Sequence, residues 1–358
     1  MNEDCLKLTC YFGERHRHGR RFVADALLDI YGRHEIDVSI MLRGVEGFGL
    51  KHHLRSDRSL TLSEDLPAVT VAVDTRPRIE AALQEVRALP GVGLITLERA
   101  RLISTETTTA LLPEDLREAT KLTIYLGRQE RTFRVPAYVA VCDLLHRRGV
   151  AGATVLLGVD GTMHGQRQRA EFFGRNAEVP TMVMAIGSGE AVNRVLPELG
   201  ALVRSPLISV ESVRICKRDG ARLAVPHALP GRDEHGMDLW QKLTVFTSEA
   251  ARYGGQPIHR AITRHLRGTG ASGATTVRGI WGFHGDHAPH GDRPLRIVRH
   301  VPTVTIVIDT PERIADAFPV IDRLTSERGL VTAEIVPAMH ARSESVERGG
   351  LNLARRPL

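Results

Sequence analysis

The amino-acid sequence predicts an α+β protein in which one domain is present three times in tandem. A glycine-containing stretch that follows a strand-like segment, Met41–Gly49, recurs at Leu156–Gly161 and Val277–Gly282, with offsets of 114 and 121 residues. The tripeptide Lys-Leu-Thr at residues 7, 121 and 242 keeps the same offsets. Self-similarity at a nearly fixed spacing is the mark of repeated domains. A chain of 358 residues also has room for three domains of about 100 residues.

The hydrophobic pattern predicts the order strand, helix, strand, strand, helix, strand in each copy. In the first copy, alternating apolar residues indicate strands, and apolar residues on one face indicate helices. Its predicted strands are Leu6–Phe12, Val38–Leu42, Ala68–Val73 and Leu94–Leu102. Its predicted helices are Arg20–Tyr31 and a second one that carries Ile79, Leu83 and Val86.

The second and third copies show the same order. In the second copy we predict Leu122–Leu126, Ala137–Arg148, Ala153–Leu157, Thr181–Ile186, Ala191–Val203 and Ile208–Ile215. In the third copy we predict Leu243–Phe246, Pro257–Leu266, Ala274–Arg278, Thr303–Ile308, a helix capped by Thr310 with Pro311 at its first position, and Val331–Val336.

Between the copies, the composition changes to that of connectors. The predicted domains are residues 1–104, 119–217 and 240–340, with linkers at 105–118 and 218–239. Residues 341–358 form a polar, Arg-bearing tail that we expect to be disordered beyond Glu347.

A β-α-β-β-α-β unit corresponds to the ferredoxin-like fold, an antiparallel sheet with both helices on one face. The third strands, at 68–73, 181–186 and 303–308, are apolar at nearly every position. Such runs indicate burial on both faces. Each copy therefore has an apolar surface that its own helices do not cover. We predict that the copies cover it by meeting around a pseudo-threefold axis, as an intramolecular pseudo-trimer.

Composition narrows the classes of function. The net charge of +6, carried mostly by arginine, favours anionic partners, although arginine on a solvated surface explains it equally well. Aromatic residues make up only 4%, which argues against a base-stacking surface and so against nucleic acid as a partner. Four scattered cysteines and the absence of an apolar export signal or membrane-length run lead us to expect a cytoplasmic protein.

The first copy resembles the domain of unknown function 190 (DUF190) family. The resemblance rests on Arg43–Gly49, on Leu62–Pro67 with the valine-rich strand that follows, and on Leu94–Glu98. The third copy keeps Arg278–Gly285 and Val301-Pro302, whereas the second has Leu157-Gly158 in place of Arg-Gly. This family is similar to the PII signalling (GlnB-like) and CutA proteins, which are trimers of ferredoxin-like subunits with ligand sites between subunits. The resemblance implies a trimer-like assembly within one chain that needs no second chain.

The PII resemblance implies ligand-binding residues at the bases of the long loops and at the turn before the last strand. A glycine-rich turn such as Pro90–Ile95 lets backbone N–H groups converge on an anion. Turning the chain is an equally good reason for these glycines. The candidate ligand-binding residues are Arg43, Gly44, Gly47, Gly49, Gly91, Gly93, Gly158, Gly161, Arg278, Gly279 and Gly282.

Loop arginines provide further candidates for holding phosphate, with solvated loop charges as the alternative. They are Arg55, Arg58, Arg167, Arg169, Arg175, Arg293, Arg296 and Arg299. A second class of function, metal binding similar to that of CutA, rests on His284, Asp286, His287 and His290, whose spacing suits a transition metal.

No hydrolase, P-loop or paired-carboxylate motif is present, so we expect a protein that is not an enzyme. The sequence favours a PII-like regulatory protein that binds a small anionic ligand, with an adenine nucleotide as the leading candidate. Its long loops would act on a partner protein, and by analogy with PII this partner is a membrane transporter. RNA binding ranks lower, because the strands lack paired stacking aromatics.

Overall fold

The computed structural model describes residues 3–57, 65–103, 119–169, 179–204, 206–285, 288–291, 301–343 and 346–355. Within them the chain is α+β, and each repeat has two helices and four principal strands. Repeat one has strands Glu3–Gly13, Val38–Phe48, Pro67–Thr75 and Val92–Ile103 and helices Val23–Arg33 and Arg76–Ala88. Repeat two has strands Thr120–Gly127, Gly152–Leu157, Pro180–Gly187 and Leu207–Ser212 and helices Ala137–Arg147 and Gly189–Leu202. Repeat three has strands Trp240–Ser248, Ala274–Arg278, Pro302–Asp309 and Leu330–Val336 and helices Ile258–Gly268 and Pro311–Leu324.

All four strands of each repeat are antiparallel, and their spatial order is fourth, first, third, second. A short two-residue hairpin joins the first strand to the first helix in every repeat. The three hairpins pair Arg17–His18 with Arg21–Phe22, Arg131–Thr132 with Val135–Pro136, and Arg252–Tyr253 with Gln256–Pro257. Helix Pro311–Leu324 begins as predicted, since the Thr310 hydroxyl accepts a hydrogen bond from the Arg313 N–H.

The alternation of side chains along the first strand separates two cores. Leu6, Leu8 and Cys10 pack against the helices of repeat one. Lys7, Thr9 and Tyr11 point to the sheet face that carries no helix. On that face, strands of all three repeats contribute to one central apolar cluster, which includes Val69, Val71, Met182, Met184, Val277 and Val304.

Strand pairing between repeats extends the sheets in two cyclic sets. At the end of the second strand of each repeat, or just after it, a short segment of the chain pairs with the second strand of a neighbouring repeat. We call residues 44–48, 158–163 and 279–284 the crossing segments. Segment 44–48 pairs with strand Ala274–Arg278 of repeat three. Segment 158–163 pairs with strand Val38–Phe48 of repeat one, and segment 279–284 pairs with strand Gly152–Leu157 of repeat two. We call the contact made by each crossing segment a seam.

The second cyclic set joins the fourth strands. Arg101–Ile103 of repeat one pairs with Ile208–Val210 of repeat two, and Arg214–Arg218 pairs with Leu330–Ala333 of repeat three. Ala338–Ala341, beyond repeat three, returns to pair with Leu94–Leu97 of repeat one. Each repeat is thus hydrogen-bonded to both others.

The expectation that the tail is disordered beyond Glu347 was wrong. The tail is ordered where it is described, because Glu347–Gly350 pairs with Met339–Arg342 and the Arg99 guanidinium donates to the Ala354 carbonyl at 2.7 Å. The linker 218–239 is also hydrogen-bonded: Arg218 belongs to a strand, and the Asp233 carboxylate accepts the N–H groups of His235, Met237 and Arg355. Backbone hydrogen bonds, which polarity alone does not reveal, hold both segments.

Candidate functional site

Six buried charges meet where the three repeats converge, and they alternate in sign. We call Lys7, Lys121, Lys242, Glu98, Glu211 and Glu334 the six-charge ring. Every side chain in it is at most 8% exposed.

Each lysine of the ring bridges the glutamate of its own repeat and the glutamate of a neighbour. Lys7 lies 3.0 Å from Glu98 and also contacts Glu211. Lys121 lies 2.9 Å from Glu211 and also contacts Glu334. Lys242 lies 3.0 Å from Glu334 and closes the ring on Glu98.

Strand register positions the charges within each repeat. The lysine on the first strand is directly opposite the glutamate on the fourth in all three pairs, namely Lys7 with Glu98, Lys121 with Glu211, and Lys242 with Glu334. Opposite charges at such cross-strand positions attract each other. Because both residues lie on the helix-free face, assembly of the repeats brings all three pairs together.

Attraction to the lysines of the ring keeps Glu98 and Glu334 ionised. Burial opposes the charge on Glu334, but Lys121 and Lys242 outweigh it and lower its pKa to about 2. For Glu98, burial is likewise outweighed by Lys242 and Lys7, which hold its pKa far below the ordinary value. Glu98 and Glu334 therefore carry no proton at neutral pH and cannot act as general acids.

The lysines of the ring differ from one another. At Lys242, burial is outweighed by Glu334 and Glu98, so its pKa is raised well above the ordinary value. At Lys7, burial dominates over Glu211 and Glu98, and its pKa is lowered. Lys7 is thus the lysine of the ring that loses its proton first as the pH rises.

A chamber of about 60 Å³ adjoins the ring. The threonines Thr9, Thr123 and Thr244 line it, together with Tyr11, Tyr125 and apolar residues of all three repeats. A volume of this size holds a few water molecules, since one needs about 10–15 Å³. The chamber is too small for a nucleotide, so the ligand predicted from the sequence does not fit here.

The three glutamates of the ring also bring their carboxylate oxygens within 4.8 Å of one another. Carboxylate clusters are potential metal sites. Here three lysine ammonium groups lie between the carboxylates and balance their charge, so the ring needs no metal ion to be neutral. The arrangement suits a structural role, since buried ionic groups can fix the register of an assembly.

The ring makes the stability of the protein dependent on acid. Because the pKa of Glu98 and Glu334 is lower in the folded chain than in the unfolded chain, their stabilisation is fully present above pH 4.5 and is lost as the pH falls toward about 2. We expect the free energy of unfolding to drop by a few kcal/mol, an order-of-magnitude figure, over this range. Urea denaturation at successive pH values measures it. In the Glu334→Gln variant the drop should be smaller, and an equal drop in both proteins would contradict this origin.

The candidate glycines of the crossing segments lie at the seams, against backbone of neighbouring strands. A Cβ on Gly47 would lie 2.6 Å from the Ala274 carbonyl oxygen of repeat three. A Cβ on Gly161 or Gly282 would lie well under 3.0 Å from the carbonyl oxygens of Ser39 and Ala153, respectively. Glycine is therefore required at these positions for the close approach of two repeats.

The first glycine of each crossing segment approaches its own repeat as well as the neighbouring one; a Cβ on Gly279, for example, would lie 2.9 Å from the Val155 carbonyl oxygen of repeat two. A Cβ on Gly44, Gly158 or Gly279 would come within 3.0 Å of the proline that begins the third strand, which is Pro67, Pro180 or Pro302. These glycines shape the base of each long loop. Whether they also contact a ligand stays a prediction.

The remaining candidate glycines have separate roles. Gly91 adopts φ = 90°, and its carbonyl accepts a hydrogen bond from His16 at 2.8 Å, so the turn needs glycine for its backbone conformation. A Cβ on Gly93 would lie 3.4 Å from the Tyr11 carbonyl oxygen. Gly49 has open space around it. Their contact with a nucleotide phosphate also stays a prediction.

The candidate arginines Arg43 and Arg278 form equivalent ion pairs within their repeats. Arg43 contacts Glu14, and Arg278 lies 2.7 Å from Glu249. In repeat two the corresponding position is Leu157, and the partner strand has Arg128 where the other repeats have glutamate. Burial acts to lower the pKa of Arg278, but Glu249 and Asp57 outweigh the effect of burial, so the pKa is raised.

Among the loop arginines, Arg55 lies 3.1 Å from Asp65, which also holds His16 at 3.1 Å. Arg167 lies 2.7 Å from Asp160 and contacts Asp29 of repeat one, and Arg169 lies 3.3 Å from Asp25. The others, Arg58, Arg175, Arg293, Arg296 and Arg299, lie outside the described residues, as do Asp286 and His287 of the candidate metal set.

The other two histidines of the candidate metal set, His284 and His290, line the same narrow cavity between repeats two and three. The His290 Nδ1–H donates a hydrogen bond to the Ala288 carbonyl oxygen at 3.0 Å. Within the described ranges, the only carboxylate, histidine and cysteine group close enough for a metal is that of the ring glutamates. Metal binding by the histidine loop stays a prediction.

The three seams share a backbone arrangement but differ in side-chain chemistry. At the seam of repeats one and three, Glu46 lies 3.3 Å from Arg260. At the seam of repeats two and one, Arg167 joins Asp160 to helix Val23–Arg33. At the seam of repeats three and two, Phe283 packs edge-on against His146, with ring centroids 5.1 Å apart.

Sequence reasoning missed the six-charge ring as a site. Lys7, Lys121 and Lys242 served only as markers of the repeat, and Glu98 only as part of a family motif. The signal was present, because each glutamate follows a hydroxyl residue by two positions, in Thr96-Leu97-Glu98, Ser209-Val210-Glu211 and Thr332-Ala333-Glu334. Charged residues at equivalent positions of buried strands predict pairing with one another.

Comparison with known proteins identifies the family. A model for DUF190, described as "Uncharacterized ACR", matches residues 5–102, 119–215 and 240–338. The UPF0166 protein MJ1524 of Methanocaldococcus jannaschii is 33% identical over 86 residues, which are 24% of this chain and 78% of that protein.

Among solved structures, an anthrone oxidase-like protein is similar over 68% of this chain and 98% of its own, at 12% identity and a TM-score of 0.19. No helix in the described ranges has both the length and the apolar character needed to cross a bilayer. Because the family model matches most of the sequence, once in each repeat, the chain belongs to the DUF190 family.

Proposed function

We propose that the three repeats are ferredoxin-like domains joined as an intramolecular pseudo-trimer of PII-like build. The strand order of each repeat and the two cyclic sets of inter-repeat pairing support this assembly. The six-charge ring supports it as well, since each lysine needs the glutamates of two repeats. Small-angle scattering of the purified chain tests it, and an extended profile would contradict it.

We further propose that this assembly is a regulatory protein, without enzymatic activity, that binds a small anionic ligand at the seam of repeats one and three. One observation carries the proposal. Arg260 and Arg278 of repeat three hold the Asp57 carboxylate of the repeat-one loop, at 3.4 Å and 3.1 Å. Two guanidinium groups around one anion form a strong site for a phosphate or carboxylate.

In this proposal Asp57 is an internal competitor for the ligand. Its side chain is 28% exposed, the Arg278 side chain 29% and the Arg260 side chain 12%, so a phosphate can reach Arg278 from solvent and would meet Arg260 on replacing Asp57. Displacement of Asp57 would free the loop that follows crossing segment 44–48. A ligand with different affinity for the two loop states would shift their populations. A partner protein, with a membrane transporter as the candidate by analogy with PII, would recognise one of these states.

A ligand screen tests the site. We expect ATP, ADP, AMP or a cyclic nucleotide to raise the melting temperature, and isothermal titration would give the affinity. Arg278→Gln should weaken the binding of the active nucleotide by roughly tenfold or more, because a charge-assisted bond is removed. Asp57→Asn should strengthen binding, because the competing carboxylate is lost.

Arg169→Gln, at the seam of repeats two and one, is the matched control and should leave the affinity unchanged. If none of the nucleotides changes the melting temperature, or if Arg278→Gln and Arg169→Gln behave alike, the seam of repeats one and three is not the ligand site.

A further inference from the structure

The hairpin between the first strand and the first helix of repeat two presents an unusual turn. Its two central residues, Phe133 and Arg134, have φ values of 48° and 69°, a conformation that residues with side chains rarely adopt. The equivalent turns use glycine at one or both positions, with Gly19 in repeat one and Gly254 and Gly255 in repeat three. Repeat two thus places a phenyl ring where the turn itself favours glycine.

The phenyl ring of Phe133 is fully presented to solvent. The residue is 88% exposed, the highest value among the large apolar residues exposed in the described chain, and Val135 beside it is 42% exposed. In the equivalent hairpin of repeat one, Phe22 is only 36% exposed and lies under the Arg17 guanidinium at 4.1 Å. Phe133 therefore adds nothing to the core of its own repeat.

Three arginines lie in or next to this hairpin, together with one carboxylate, Glu130, which accepts the Gly127 N–H at 3.3 Å. In the part of the chain that the structure describes, no carboxylate forms an ion pair with Arg128, Arg131 or Arg134. The Arg131 guanidinium donates to the Arg134 carbonyl at 2.7 Å, which fixes it at the turn. The Thr132 hydroxyl donates to the Leu202 carbonyl at 2.9 Å and so fastens the hairpin to the end of helix Gly189–Leu202.

We propose that the hairpin 131–136 is a membrane-docking tip that inserts Phe133 into the interface of a bilayer with anionic lipid headgroups. Basic residues attract such a surface, and an apolar ring enters the boundary between headgroups and acyl chains. A protein partner fits less well, because a specific protein interface buries about 800 Å² on each side. The tip is a short hairpin whose exposed large apolar side chains are Phe133 and Val135 alone, within the described residues. This proposal is independent of the ligand at the seam.

Vesicle binding tests the proposal with the full chain. The protein should sediment with phosphatidylcholine vesicles that contain phosphatidylglycerol, and much less with phosphatidylcholine alone, and added salt should weaken binding. Phe133→Asn keeps the turn, because asparagine tolerates positive φ. It should weaken partitioning by roughly tenfold, since the contribution of a buried phenyl ring is lost. Its melting temperature should not fall. The double variant Arg131→Gln, Arg134→Gln should show a similar loss.

Leu223→Ser is the matched control, because Leu223 is 60% exposed beside a different hairpin. It should bind vesicles like the unaltered protein. A Phe133→Trp variant should shift its fluorescence emission to shorter wavelength with anionic vesicles. The proposal fails if the protein does not bind anionic vesicles. It also fails if Phe133→Asn binds as well as the unaltered protein, or if polyglutamate captures the protein and the vesicles do not, which would indicate an acidic protein partner.

Discussion

Replacing Lys242 by methionine is expected to lower the free energy of unfolding by roughly 3–5 kcal/mol, the usual cost of breaking a buried ion pair from one side. Lys242 lies between Glu98 of repeat one and Glu334 of its own repeat. Without it, two buried carboxylates within 4.8 Å of each other share fewer cations. Urea denaturation at neutral pH measures the loss.

A double variant separates charge imbalance from lost packing. Glu98→Gln in the Lys242→Met background restores an equal number of cations and anions in the ring. We therefore expect the double variant to be more stable than the sum of the two single changes predicts. Strict additivity would mean that the ring members act independently.

Arg148→Met is the surface control for the ring. Arg148 forms an ion pair with Glu198 at 2.6 Å, with side chains 46% and 39% exposed. Exposed pairs contribute little to stability. A Lys242→Met protein as stable as Arg148→Met would show that the ring does not hold the repeats together.

The second large effect is expected at the glycines of the seams. Gly161→Ala should lower the free energy of unfolding by roughly 1–3 kcal/mol, because an added methyl group in a tight contact forces the backbone to move. Its Cβ would meet the Ser39 carbonyl oxygen, in the pairing that joins repeat two to repeat one. Gly161→Val should cost more. Amide exchange of Ile40 and Met41 should accelerate if the seam opens locally.

Gly49→Ala is the matched control for the seam glycines. Gly49 lies just beyond crossing segment 44–48, and a Cβ there meets no atom within 4 Å. Alanine in place of an unconstrained glycine reduces the entropy of the unfolded chain, so the change should be neutral or slightly stabilising. If Gly161→Ala resembled Gly49→Ala, close packing would not explain the recurrence of glycine at the seams.

Much of the fold was predictable because it depends on local patterns. The alternation along Leu6–Phe12 separates a helix-facing side from a second side, and the apolar run at 68–73 indicates that both sides are buried. Most predicted element bounds lie within three residues of the observed ones, but strand Val38–Phe48 extends six residues beyond its predicted end at Leu42. Helix Val23–Arg33, for example, begins three residues later than predicted because the hairpin Arg17–Phe22 precedes it.

Features that depend on contacts between repeats were harder to predict from the sequence. Periodicity shows that Gly161 recurs, but not that Ser39 lies against it 122 residues earlier in the chain. The positions of Lys7 and Glu211 on strands are local facts, whereas their meeting depends on how the repeats are placed. The tail was expected to be disordered beyond Glu347 because it is polar. The partners of its last described residues, Arg99 of repeat one and Asp233 of the linker, are far away in sequence.

The three seams are formed by one chain, and this has an evolutionary consequence. In an assembly of identical subunits, a single coding change would appear at every interface simultaneously. Here a change to Glu46, Asp160 or Trp281 alters one interface and leaves its two counterparts as they were. Tandem fusion thus allows one cleft to specialise while the others preserve the architecture, and the acidic and aromatic side chains found at this one position of the three seams are what such divergence would produce.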